Sequence, residues 1–156
     1  MVPSRELGYA RRMVASKAKE DVVLPVGVQW PEGMTPTRGH VLAIEHILDG
    51  DGHLFITGRA GTGKSTLLRC VADLLGEECA VLAPTGLAAV TVGGQTIHSF
   101  FGFPPRLIGP GDIKRSRNGK VMRRLKYLII DEVSMVRSDL MWAIDQALRL
   151  NRSKLR

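Results

Sequence analysis

The sequence predicts an α/β fold in which helices cover both faces of a mainly parallel sheet, and three observations carry that reading. Short apolar runs alternate with longer segments of helical periodicity along most of the chain. A glycine-rich stretch, Gly58-Arg59-Ala60-Gly61-Thr62-Gly63-Lys64-Ser65-Thr66, fits G-x-x-x-x-G-K-[ST] and stands between an apolar run and a helical one. The most hydrophobic run, Tyr127-Leu128-Ile129-Ile130, ends on the acid pair Asp131-Glu132. Strands and helices alternating at these lengths imply right-handed crossovers and a three-layer α/β/α arrangement. In such sheets ligands gather at the carboxyl ends of the strands, where both the glycine-rich loop and Asp131 are expected.

Each element has its own reasons. Residues 1–36 contain Pro3, Pro25, Pro31 and Pro36 and little periodicity, so they read as a flexible basic lead-in. Arg5 to Glu20 could form a short helix capped by Ser4. Arg11, Arg12 and Ser16 suit a transit peptide, against which Glu6, Glu20 and Asp21 argue. From residue 37 a single phosphate-loop domain is expected to run to residue 156. Thr37 is placed to cap a helix with Val41, Ile44 and Leu48 on one face, and Gly50 to stop it. His53 to Thr57 reads as the first strand. The loop opens a helix with Leu67, Leu68, Val71, Leu74 and Leu75 on one side, ending near Gly76. Cys79 to Ala83 is a second, buried strand, and Leu87 to Val90 starts another helical turn. Residues 93–105 are aromatic and glycine-rich without an assigned element. Asn118-Gly119 is a turn, Lys120 to Lys126 a short helix, and Tyr127 to Asp131 the third strand. Ser138 is placed to cap a last helix lined by Leu140, Ile144, Ala147 and Leu148.

Composition narrows the class. The 156 residues suffice for one domain with a core, and 44% hydrophobic with 24% charged residues is ordinary for a globular protein. No apolar run approaches the roughly 20 residues of a membrane span. Cys70 and Cys79 lack metal-ligand spacing and suit a reduced, cytosolic-type compartment without a disulfide. The net charge of +7 points to a polyanionic partner, and its distribution sharpens the point. Residues 103–127 carry eight basic groups and one acidic, an excess equal to that of the whole chain. This segment is either a solvated connection or a guide for a phosphate backbone.

The chemistry follows from residue type and place. A glycine-rich turn before a helix wraps backbone N–H groups around phosphates at the positive end of the helix dipole. Lys64 would reach the terminal phosphates, and the Ser65 hydroxyl would help to coordinate Mg2+. A carboxylate at a strand end, Asp131, can hold the same ion directly or through water. Glu132 can orient or deprotonate an attacking water. The glycine spacing differs from that of a nucleotide-binding dehydrogenase.

Three blocks together resemble the PIF-type and RecD-like DNA helicases of helicase superfamily one. They are Phe55 to Thr66; Ala83-Pro84-Thr85-Gly86-Leu87-Ala88-Ala89-Val90 with Gly93 to Phe101; and Leu128 to Val136. The first is common to many NTPases, whereas Thr-Gly-x-Ala-Ala followed by Thr-Ile-His-Ser-Phe is specific. The resemblance covers about residues 37–150. It implies a RecA-like P-loop NTPase fold and an ATP-driven 5′-to-3′ motor on single-stranded DNA, with roles in DNA repair, recombination or genome maintenance. By the same resemblance Thr85 and Gly86 would contact the sugar-phosphate backbone, while His98, Ser99 and Phe100 would line the strand's path. Phe100 and Phe101 have core packing as their other reading.

Location would be cytoplasmic and nucleoid-associated in a bacterium, nuclear or mitochondrial in a eukaryote. The family's adenine-recognising glutamine is replaced near its position by Arg38-Gly39-His40. The chain stops at Arg156, before the γ-phosphate-sensing segment and the second motor domain that the family carries in cis. The expectation is therefore a fold incomplete at the C-terminus and a poorly active isolated chain. Another phosphate-loop enzyme, such as a small kinase, and a non-catalytic nucleotide- or DNA-binding remnant are the alternatives.

Overall fold

The computed structural model describes residues 22–50 and 52–152. The helix expected over Arg5 to Glu20 lies outside them. The chain divides into two compact units, Met1–Leu74 and Leu75–Arg156.

The first unit is built on two helices and the loop between them. Helix α1 spans Arg38–Asp49, begins at the Thr37 cap and ends at Gly50, whose φ of 70° makes the left-handed stop that glycine tolerates. Its buried residues are Ala43 and Ile44, whereas Leu48, expected on the buried face, is 42% exposed at the last turn. Helix α2 spans Lys64–Leu75 and buries Leu67, Cys70 and Val71, whereas Leu68, Leu74 and Leu75 of the expected stripe are half-buried. The strand expected over His53–Thr57 does not form as a ladder: Leu54 makes one isolated bridge, and residues 55–59 are irregular. A strand needs a neighbour for its N–H and C=O groups, and the described residues of this unit supply no second strand.

The second unit carries a three-stranded parallel sheet in the order β2-β1-β3. Strand β1 is Cys79–Ala83, β2 is Gln95–Thr96 and β3 is Tyr127–Ile130. Leu82 and Ala83 pair with Gln95 and Thr96 on one side, and Cys79 to Leu82 pair with Tyr127 to Ile130 on the other. Helix α3, Gly86–Thr91, makes the short crossover from β1 to β2. Its return passes so close to β1 that a Cβ at Gly94 would overlap the Val81 carbonyl oxygen. Thr96 then caps α4, Ile97–Phe101, by accepting the Ser99 N–H at 3.2 Å. Neither β2 nor α4 was assigned from the sequence.

Strand β1 sends Ala80 and Leu82 into a core completed by Ile97, Phe100, Phe101, Phe103, Ile108, Met122 and Leu125. Leu140, Ala143, Ile144 and Ala147 close it from α6, which spans Ser138–Arg152. Phe101 stacks on Phe103 at 5.2 Å and meets Phe100 edge-on at 5.0 Å. Fully burying a side chain such as Ile97 or Leu82 contributes about 1.5–3 kcal/mol. Ser138 is the first residue of α6 rather than its cap, because the Met141 N–H already bonds the Arg137 carbonyl. Helix α5, Gly119–Arg124, packs on α6. Both cysteines are free, and burial pushes the Cys79 thiol up to about 11, which disfavours the thiolate.

Candidate functional site

In the first unit, residues 58–63 fold into a loop that runs directly into α2. Gly61 and Gly63 hold φ of 74° and 82°, so the turn uses a backbone region that side-chain-bearing residues rarely adopt. The Lys64 ammonium lies back over the loop, donating to the carbonyls of Gly58 at 2.9 Å and Arg59 at 2.8 Å. Thr62 Oγ1 donates to the Arg59 carbonyl at 2.9 Å, which draws the turn tight. Ser65 and Thr66 fall in the first turn of α2; Ser65 is exposed, and Thr66 is half-buried beside Met34. Arg59 and Ala60 are exposed on the rim. The loop therefore presents a positive helix end, a lysine and a hydroxyl together.

A residue not singled out as functional holds this loop from behind. His40, at the third position of α1, accepts the Thr37 N–H on Nδ1 at 3.1 Å and donates from Nε2 to the Thr62 carbonyl at 2.9 Å. The pattern Thr-x-x-His occupies the place of the usual Ser/Thr-x-x-Glu/Gln capping box, and that was the signal available in the sequence.

In the second unit, Asp131 follows β3 directly, and its N–H bonds the Leu82 carbonyl at 2.9 Å, which fixes its backbone at the carboxyl end of the sheet. Glu132 is exposed and has φ of 49°, the one non-glycine residue with positive φ among those described. Among the described residues no three His, Cys, Asp or Glu side chains gather as a metal cluster.

The other predicted contacts lie around β1 and α4. Thr85 Oγ1 accepts the Ala88 N–H at 3.2 Å as the cap of α3, and Gly86 opens that helix in the open. On α4, His98 is half-buried and Ser99 exposed. Phe100 is 5% exposed and belongs to the core. This corrects the expectation that its ring lines a ligand path, because the helical turn that exposes Ser99 points the next side chain inward.

The basic segment is not a loose connection. Phe103, Ile108, Met122 and Leu125 anchor it in the core. Asp139 accepts the Ile108 N–H at 3.2 Å, and Arg137 beside it holds that carboxyl far below the usual range. Asn151, 2% exposed, accepts the Ser116 N–H at 2.9 Å and donates to the Ala147 carbonyl at 2.8 Å. Lys114, Arg115, Arg117, Lys120 and Arg123 stay exposed on this framework.

The model of the PIF1-like helicases matches residues 40–155. The chain belongs to the PIF1-like helicase family. Among the family's members, "ATP-dependent DNA helicase PIF1" of Candida albicans is 45% identical over 105 residues, which are 60% of this chain and 11% of that protein. "ATP-dependent DNA helicase Pif1" of Bdellovibrio bacteriovorus is 41% identical over 101 residues, 60% of this chain and 23% of the relative. The chain thus spans about a tenth to a quarter of these PIF1-like proteins. A solved Pif1 helicase from Bacteroides, in complex with ADP-AlF3 and ssDNA, superposes with a TM-score of 0.69 at 38% identity, over 76% of this chain and 28% of that one. The RecA-like P-loop fold class is that of these neighbours, with an open three-stranded parallel sheet here. Among the described residues no helix is long and apolar enough to cross a membrane.

Proposed function

We propose that the chain is the nucleotide-binding part of an ATP-dependent 5′-to-3′ DNA helicase, coupling ATP hydrolysis to movement along single-stranded DNA. The observation that carries the reading is the phosphate loop opening α2, with Lys64 over its carbonyls and Gly61 and Gly63 in left-handed turns. Residues 58–66 bind the triphosphate. Lys64 exchanges two carbonyl partners for phosphate oxygens, a charge-assisted replacement that strengthens as charge develops on the transferred group.

Ser65 and Asp131 would hold Mg2+, whose chemistry is to neutralise charge on the β- and γ-phosphates. Glu132 orients and deprotonates the attacking water. On the DNA side, Thr85, Gly86, His98 and Ser99 form the path for the strand, with hydroxyls and open backbone gripping it independently of base sequence. Phe100 acts from beneath, packing α4 so that His98 and Ser99 keep their places. Support for this division comes from family membership and from the exposure of Gly86 and Ser99. A second motor domain, supplied in cis in the family, belongs to the same proposal.

The test is ATP turnover with and without single-stranded DNA, in the native chain and in Lys64→Ala. Stimulation by DNA, and a loss of about a hundredfold or more in the variant, is the expected result. Turnover indifferent to DNA would point to another phosphate-loop enzyme. DNA binding with no turnover in the native chain would point to a non-catalytic remnant.

A further inference from the structure

We infer that His40 is a positioning residue that sets the phosphate loop through the Thr62 carbonyl and leaves the nucleotide base unread by its ring. This rests on the phosphate-loop reading above. The ring has two polar atoms, and the protein uses both. Nδ1 accepts the Thr37 N–H at 3.1 Å, and Nε2 lies 2.9 Å from the Thr62 carbonyl oxygen, which can only accept. The two bonds together select one form, the neutral imidazole with its hydrogen on Nε2. A hydrogen on Nδ1 would face the Thr37 N–H, donor against donor.

The ring is also packed on both sides. A Cβ built at Gly63 would stand 3.1 Å from Cε1 and 3.2 Å from Nε2, so the imidazole lies hard against the loop. Trp30 covers the ring from elsewhere, with centroids 4.9 Å apart and planes tilted by 32°. Held in this way, the ring transmits the position of the α1 N-terminus to Thr62 and Gly63, next to Lys64. The imidazole has no third hydrogen-bonding atom to offer a purine edge. A change at His40 therefore acts on the loop's hold on phosphates, which ATP and GTP share.

Two substitutions separate the two nitrogens, because an asparagine amide imitates Nδ1 and a glutamine amide imitates Nε2. His40→Gln keeps a donor for Thr62, whereas His40→Asn keeps an acceptor for the Thr37 N–H and loses the loop. Calorimetry with Mg·ATP and with Mg·GTP is expected to place His40→Gln within about threefold of the native chain for each nucleotide. His40→Asn should lose about fivefold to tenfold for both nucleotides alike, the worth of one hydrogen bond. Native affinity in His40→Asn, or a loss confined to ATP, would overturn the inference.

Nitrogen-15 NMR of the imidazole reads the tautomer directly and needs neither nucleotide nor a variant. Hydrogen on Nε2 supports the brace, and hydrogen on Nδ1 removes it. Lys64→Ala keeps the two levels of the argument apart. If it abolishes binding while His40→Asn binds normally, the phosphate loop stands and the brace fails. If it binds as the native chain does, both fail.

Discussion

Glu132 is in an unusual position for a long acidic side chain, with φ of 49° in a region where asparagine and glycine are at ease. Local strain retained in the backbone is commonest where a side chain must be aimed, and here that side chain is the proposed base. Glu132→Asn should therefore raise stability to urea by about 0.5–1 kcal/mol while removing ATP turnover. Unchanged or lower stability would show that the left-handed turn costs nothing at this site. Other residues were legible to different depths. Thr37 as a cap and Gly50 as a stop follow from local chemistry, and both form as read. Phe100 had two readings, since an aromatic in a motif looks the same in sequence whether it stacks on a ligand or on Phe101. His40 was noticed for what it replaces. Its role came only from the 22 residues that separate it from Thr62, a distance in sequence that no local pattern bridges.

Elements with strong periodicity or long apolar runs were legible, including α1, α2, β1, β3 and α6. The two-residue β2 and five-residue α4 were not, because their existence depends on pairing with Leu82 and Ala83 rather than on propensity. The converse holds for His53–Thr57, whose composition suits a strand but which lacks a ladder within its unit. Gly94 is the hinge of the unread region. Because a side chain there would strike the Val81 carbonyl, Gly94→Ala must push β2 away from β1 and displace Ile97 from the core. A loss of about 1–3 kcal/mol in chemical denaturation is expected, the range for overpacking at a tight contact. Gly86→Ala, where a Cβ meets open space, serves as the control and should change stability far less. Similar losses in the two variants would remove the steric explanation.

Across the whole molecule, charge is the property most easily read from the sequence and least easily interpreted. The seven-unit excess over residues 103–127 is plain in the composition, but not whether that segment is structured. Structure comes from Asp139 and Asn151, 31 and 35 residues away from the amides they hold. A cationic segment fixed in shape is suited to a regular polyanion. Neutralising Lys114, Arg115 and Arg117 together should weaken binding to single-stranded DNA and reduce the slope of log affinity against log salt by about 2. An unchanged slope would return the segment to a solvent-facing role. The Asn151 tie has a further consequence, in the time domain. The Ser116 amide ends on an oxygen that water scarcely reaches, so its hydrogen can exchange with solvent only in the rare openings that detach the segment from α6. Slow hydrogen exchange is thus expected in part of the backbone of the most highly charged stretch of the chain.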